Sequence, residues 1–182
     1  MSWKLTMLIA LLSGQRVQTL KALTLTSMTL TANKCVFTTD TPLRTTRPGK
    51  HLGRIEFWHT NLTGTCVLYN IFKPILIELR GETDQLLIGY QKPHKPLSTN
   101  TIARWLKNVM AKAGIDTSVY KAHSTRAAVT SAAKGKQVTI DTILATAGWS
   151  SESTFARFYD KPIQDTAKNF GHELLHNSCS CL

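Results

Sequence analysis

Four side chains in one stretch, residues 121–161 (KAHSTRAAVTSAAKGKQVTIDTILATAGWSSESTFARFYDK), have the chemistry to act together on a phosphodiester: His123, Arg126, Trp149 and Tyr159. His123 and Arg126 lie three residues apart, which on a helix puts them on one face a single turn apart. A guanidinium grips phosphate with forked, charge-assisted hydrogen bonds. An imidazole moves a proton near neutral pH, and a phenol oxygen can attack phosphorus and leave again later. A phosphodiester becoming five-coordinate spreads extra negative charge over two non-bridging oxygens, so a second guanidinium is wanted. The chain offers Arg16, in LLSGQRVQTLKAL.

The elements that must position these groups are mostly helices. Trp3, Leu5, Leu8, Ile9 and Leu12 recur at helical spacing and the run ends at Ser13-Gly14. A second helix is expected from about Gln15 to Leu23 with Val17, Leu20 and Leu23 inward, which places Arg16 near a positive helix end. Residues 24–33 read as irregular or weakly extended. KCVFTT, PLRTT and GRIEFW predict a small three-stranded antiparallel sheet, with a turn at Arg47-Pro48-Gly49-Lys50. Residues 65–80 look helical around Pro74, and Leu86–Tyr90 reads as a short buried strand followed by the basic loop QKPHKP. From 98 to 113 the pattern is the clearest in the chain: Ser98 as cap, Ile102, Trp105, Leu106, Val109, Met110 and Ala113 as one stripe, Gly114 as stop. Arg104, Lys107 and Lys112 lie off that stripe and, with Lys92 and Lys95, either grip DNA backbone or form a solvated face. Helices are further expected at Ala127–Ala133, at Ile140–Ala147 closed by Gly148, at Ser151–Phe158 ending on Tyr159, and around Phe170–His176.

Taken singly, a His at a helix start, a Trp after Gly and a Tyr after Phe155-x-x-Phe158 are ordinary structural residues. As an ordered set, Arg16 … His123-x-x-Arg126 … Trp149 … Tyr159 resembles the tyrosine recombinase (phage integrase) family. The wording SGQRVQTL, AHSTRAA and AGWSSESTFARFY looks most like the recombinases of eukaryotic DIRS-type mobile elements, and the ten-residue interval from Trp149 to Tyr159, one longer than in many phage relatives, is compatible with them. The resemblance runs from about residue 5 to about 165. It implies a mainly α, α+β catalytic domain over residues 1–165 with a small three-stranded sheet, then a tail, 166–182, that docks on a neighbour or folds back. The family's N-terminal helical domain would be absent.

By resemblance Tyr159 is the nucleophile, His123 handles the proton, Arg16 and Arg126 bind the non-bridging oxygens, and the Trp149 indole N–H adds a hydrogen bond. The product would be a 3′-phosphotyrosyl bond and a free 5′-hydroxyl, with bond energy conserved and so no need for ATP, metal or other cofactor. The implied partner is double-stranded DNA, held by a tetramer of the chain in the nucleus. The family also carries a hairpin lysine that protonates the leaving oxygen, and here Arg44 stands at that place. An arginine stays protonated and donates poorly. Lys50 in the turn, or Lys34, is the substitute, or all of these bases simply contact phosphate. That departure leaves open a second function, a DNA-binding remnant without turnover.

Composition agrees with a polyanionic partner. Lys+Arg 22 against Asp+Glu 11 gives a net charge of +11 over 182 residues. A hydrophobic content of 42% and a charged content of 18% are those of a folded globular chain. Cys35, Cys66, Cys179 and Cys181 suggest reduced thiols in an intracellular protein. The apolar start reads as a core helix in preference to a signal peptide, and no stretch is long enough to span a bilayer. Asn61-Leu62-Thr63 matches a glycosylation acceptor and Cys179-Ser180-Cys181-Leu182 has prenylation spacing, both without support elsewhere. His172-Glu173-Leu174-Leu175-His176 fits the zinc-protease pattern H-E-x-x-H, but so near the end that little chain remains to build a cleft or orient the ligands.

Overall fold

A computed structural model describes residues 2–38, 54–58, 81–149 and 151–161. Helix α1 (Ser2–Ser13) is apolar nearly all round and therefore central. It buries Leu5, Met7, Ile9 and Ala10 and packs against α2, α3, α4 and the sheet. The first helix is thus a core element as expected, but its stripe differs: Leu12 is exposed, and Met7 and Ala10 are buried, because the helix is apolar on more than one face. Ser13 turns its hydroxyl back onto the Ile9 carbonyl (2.6 Å), and Gly14 then takes the left-handed conformation (φ 58°). The next helix, α2 (Val17–Lys21), is a single short turn with Arg16 as its N-terminal cap residue, shorter than the Gln15–Leu23 expected.

Three antiparallel strands follow, in the order β1 (Met28–Leu30), β2 (Lys34–Phe37), β3 (Ile55–Trp58). The register pairs Met28 with Phe37 on one side of β2, and Lys34 with Trp58 on the other. Strand number and sense agree with expectation, but the membership differs. The Thr-rich stretch supplies β1, because Met28 packs onto the core that Phe37 and Phe57 (rings 6.1 Å apart, edge to face) build. PLRTT lies outside the described residues. Cys35 is a fully buried thiol, and burial alone raises its pKa to about 11.

Leu86, Leu87 and Ile88 are buried as expected, yet among the described residues the segment 85–88 makes only isolated bridges, Gln85 to Thr24 and Ile88 to Pro96. Prolines on either side of Lys95 limit the donors a longer ladder would need. Helix α3 (Thr99–Lys112) starts where Ser98 accepts from the Thr101 amide (3.1 Å) and buries Ile102, Trp105, Leu106 and Met110. Ala113, assigned to that stripe from spacing, is exposed, because it already follows the last helical residue. Lys92, Lys95, Arg104, Lys107 and Lys112 are all on the surface, with the Lys112 ammonium 4.9 Å from the Trp3 ring centre.

The remaining helices among the described residues are α4 (Ser124–Gly135), α5 (Ile140–Ala147) and α6 (Glu152–Phe158). They form a second, smaller core of Ile143, Ala147, Trp149 and Phe155, with Tyr159 packed against it. α4 bridges the two cores, touching α1 on one side and α5 on the other.

Candidate active site

The site lies where the turn after α1 meets the second core, and Arg126 joins them. Its guanidinium Nη1 donates to the Gly14 carbonyl (2.9 Å) and Nη2 to the Ala147 carbonyl (2.7 Å). Both carbonyls end helices, α1 and α5, where backbone acceptors lack a partner within the helix and the macrodipole is negative. A cation therefore answers both ends at once, and Arg126 is only 3 % exposed. Its guanidinium carbon lies 4.1 Å from the Trp149 ring centre and 5.5 Å from that of Tyr159. Burial, and next the positive charge of Arg16, bring the Arg126 pKa down to about 10, with Tyr159 acting the other way. The group stays cationic at neutral pH.

Arg126 donates to the carbonyl of Gly14, two residues before Arg16, so two arginines 110 residues apart in sequence are brought into one locality. The backbone explains how. Gly14 brings its Cα close to Thr130 and Ala147; a Cβ there would sit 3.6 Å and 3.8 Å from their side chains. Gln15 then reaches across to donate from Nε2 to the Thr146 carbonyl (2.6 Å). With residues 14 and 15 both fastened to the end of α5, Arg16 follows in an extended conformation (φ −74°, ψ 153°), half-buried beside the site. Spacing gave no sign of Gln15; the available signal was a polar residue wedged between Gly and Arg in SGQR.

Trp149 is positioned by the end of α5. Gly148 is left-handed (φ 67°), its amide donates to the Ala145 carbonyl (3.3 Å) and the Trp149 amide to the Leu144 carbonyl (2.9 Å). That paired closure folds the chain back, so the indole lands on Phe155 (5.5 Å) and Tyr159 (4.5 Å). Two buried N–H donors here, Arg126 Nε and Trp149 Nε1, have no acceptor among the described residues. Such groups are costly and are retained where an acceptor arrives with a ligand.

Tyr159 ends α6, half-buried, with its amide on the Phe155 carbonyl (2.8 Å). His123 precedes α4 with helical dihedrals (φ −75°, ψ −15°), but its imidazole is exposed and makes no hydrogen bond to a described residue. So Arg16, Arg126, Trp149 and Tyr159 come together, and His123 stands at their edge one turn from Arg126, turned outward where Arg126 turns inward. Lys50 and Arg44 lie outside the described residues, as do residues 65–80, Cys66 and the tail with its H-E-x-x-H motif. Lys34 lies on β2, ion-paired with Glu56 (3.1 Å) and 4.6 Å from the Trp58 ring centre. Among the described residues no three His, Cys, Asp or Glu side chains form a group that could hold a metal, and no helix is long and apolar enough to cross a membrane.

The fold is that of a tyrosine recombinase catalytic domain, mainly helical with a small antiparallel sheet. Residues 1–164 match the phage integrase family, and the chain belongs to it. Among solved structures it is similar to XerA recombinase (TM-score 0.66, 16% identity, covering 100% of this chain and 58% of that one). It is similar also to the catalytic core of lambda integrase (TM-score 0.52, 18% identity, 80% and 82% covered). A third is the Tn1549 transposon integrase in complex with transposon right end DNA (TM-score 0.57, 14% identity, 93% and 57% covered). At these identities the likeness is one of fold. The chain spans little more than half the length of the XerA and Tn1549 chains. No curated protein matches the sequence.

Proposed function

We propose that this chain is the catalytic domain of a site-specific recombinase that cleaves and rejoins DNA strands through a 3′-phosphotyrosyl intermediate. The observation that carries it is the convergence on Arg126 of the Arg16 turn from one side and the Trp149–Tyr159 pair from the other. A phenol of pKa about 10 is only about a thousandth ionised at neutral pH, so attack needs both a base and a polarised phosphate. Arg16 and Arg126 bind the non-bridging oxygens, and the unpaired Arg126 and Trp149 N–H groups supply donors as negative charge grows. His123, exposed at the start of α4, takes the phenol proton as the ring leaves its stack. Tyr159 Oη bonds to phosphorus as the bond from phosphorus to the 5′-oxygen breaks, and Lys50 gives that oxygen a proton while Arg44 can only steady its charge; Lys34 is the weaker donor, because Glu56 and Trp58 already hold it. Rejoining runs the same steps backwards with a 5′-hydroxyl as nucleophile.

The partner is double-stranded DNA, gripped in part by the exposed bases of α3 and the 92–95 loop, and the working form is a tetramer. Residues 1–165 form the catalytic unit and 166–182 a tail for contacts between copies. The host element is a DIRS-type retrotransposon acting in the nucleus, a reading supported by the wording around Arg16, Arg126 and Tyr159. The test is covalent trapping on a pool of sequence-randomised duplexes nicked at one position. A denaturation-resistant protein–DNA adduct that disappears in Tyr159→Phe is expected. Arginine in place of the hairpin lysine favours a second reading, a DNA-binding remnant without turnover, and salt-sensitive binding with no adduct at any sequence establishes that one instead.

A further inference from the structure

The helix that carries Arg126 also holds the backbone of Tyr159, through a residue that no pattern in the sequence marks. Ser131, five residues beyond Arg126 on α4, is 5 % exposed. Its hydroxyl donates to the Tyr159 carbonyl (2.7 Å) and accepts from the Lys161 amide (2.9 Å). One side chain thus closes both ends of the three-residue turn 159–161, using its donor and a lone pair together. On the same face, three residues on, Lys134 forms an ion pair with Asp160, the middle residue of that turn. Tyr159 sits at the C-terminal end of a seven-residue helix, where helical hydrogen bonding alone leaves the last carbonyls loose. Local bonds close the turn on itself, from the Tyr159 and Asp160 amides to the Phe155 carbonyl and from the Lys161 amide to the Tyr159 carbonyl (3.0 Å), and Ser131 and Lys134 tie that turn to α4.

We propose that Ser131 is a positioning residue for the nucleophile, clamping the Tyr159 turn to the helix that bears Arg126 so that phenol and guanidinium keep one spacing. Lys134 and Asp160 form the outer half of the clamp. The inference rests on Tyr159 and Arg126 having the roles given above, but the clamp itself is a statement about where the ring is held.

The test uses the full chain with two readouts. The first is the rate of adduct formation on a nicked duplex enriched from the randomised pool by the unmodified protein, measured beside noncovalent DNA affinity. The second needs no DNA: the 19F resonance of Tyr159 in protein labelled with fluorotyrosine, assigned among the four tyrosines by its loss in Tyr159→Phe. Stacking on Trp149 at 4.5 Å shifts that resonance away from those of solvated rings. In Ser131→Ala the adduct rate is expected to fall about a hundredfold, the cost of misplacing a reacting group by about 1 Å, with DNA affinity held within about threefold. The resonance should move towards the solvated position, and Ser131→Thr, which keeps the hydroxyl, should restore both. Asp160→Asn, at the outer half, should show a smaller shift in the same direction and guards against a misfolded Ser131→Ala. A Ser131→Ala rate within about threefold of the parent overturns the proposal. So does a lost rate with the resonance in place, a rate that falls only in step with DNA affinity, or failure of Ser131→Thr to restore. If the unmodified protein forms no adduct, the recombinase reading falls, and the resonance alone then decides whether Ser131 holds the tyrosine.

Discussion

Replacing Arg126 with methionine separates what the guanidinium does for the fold from what it does for chemistry. The side chain makes two charge-assisted bonds, to the Gly14 and Ala147 carbonyls, each worth about 1.5–3 kcal/mol. Its stacking on Trp149 at 4.1 Å adds about 1–2 kcal/mol. Against this, a pKa brought down to about 10 means that keeping the charge in place costs about 3 kcal/mol. Arg126→Met gives up the first two and is relieved of the third, so the net loss should be about 1–5 kcal/mol. Guanidinium denaturation at neutral pH, followed by circular dichroism, reads it as a lowered midpoint at constant slope. Covalent trapping should show the adduct rate down by about a hundredfold or more, because Arg16 alone is left where the phosphate charge develops. Unfolding at all concentrations would mean that the carbonyl bonds dominate and the desolvation argument is wrong. An adduct rate within tenfold of the parent would refute Arg126 as a phosphate ligand.

The other expectations follow from the same geometry. Tyr159→Phe keeps the stack on Trp149 and should shift stability by no more than about 0.5 kcal/mol while abolishing adduct. Gly148→Ala places a Cβ in a left-handed turn and should cost about 1–2 kcal/mol, with a changed tryptophan emission as Trp149 loses its seat. Phosphate or sulfate should raise the melting temperature of the parent protein and not of Arg126→Met, since an anion beside two guanidiniums binds only the folded chain. The Cys35 thiol has a folded pKa raised to about 11 against about 8.5 when unfolded. Its neutral form is favoured by folding, so the contribution is full below about pH 8.5 and fades as pH rises through about 11. Denaturation midpoints measured across that window should fall less steeply for Cys35→Ala.

Each place where the sequence reading strayed has an identifiable cause. Capping residues and glycines placed α3 and α5 almost to the residue, because Ser98, Gly114 and Gly148 act locally. Strand membership was misread, because Met28–Leu30 owes its place to pairing with Cys35–Phe37 and not to any β-prone run of its own. The 86–88 segment is apolar enough for a strand but has no long partner among the described residues, a fact that lies outside the segment. His123 and Arg126 share a helix face by arithmetic, yet one is exposed and the other buried, because only Arg126 faces the two helix ends that can accept from it.

By itself, then, the sequence determined which groups were available for the chemistry: two arginines, an imidazole, an indole and a phenol, in an order and with flanking residues that marked the family. It also determined the helices that carry most of them. Tertiary structure decided that Arg16 reaches Arg126 through Gly14 and Gln15, and that Ser131 closes on the Tyr159 turn. Those contacts join residues 28 to 131 positions apart, and they depend on which unpaired carbonyls the packed helices bring face to face. Local spacing carries no information about that.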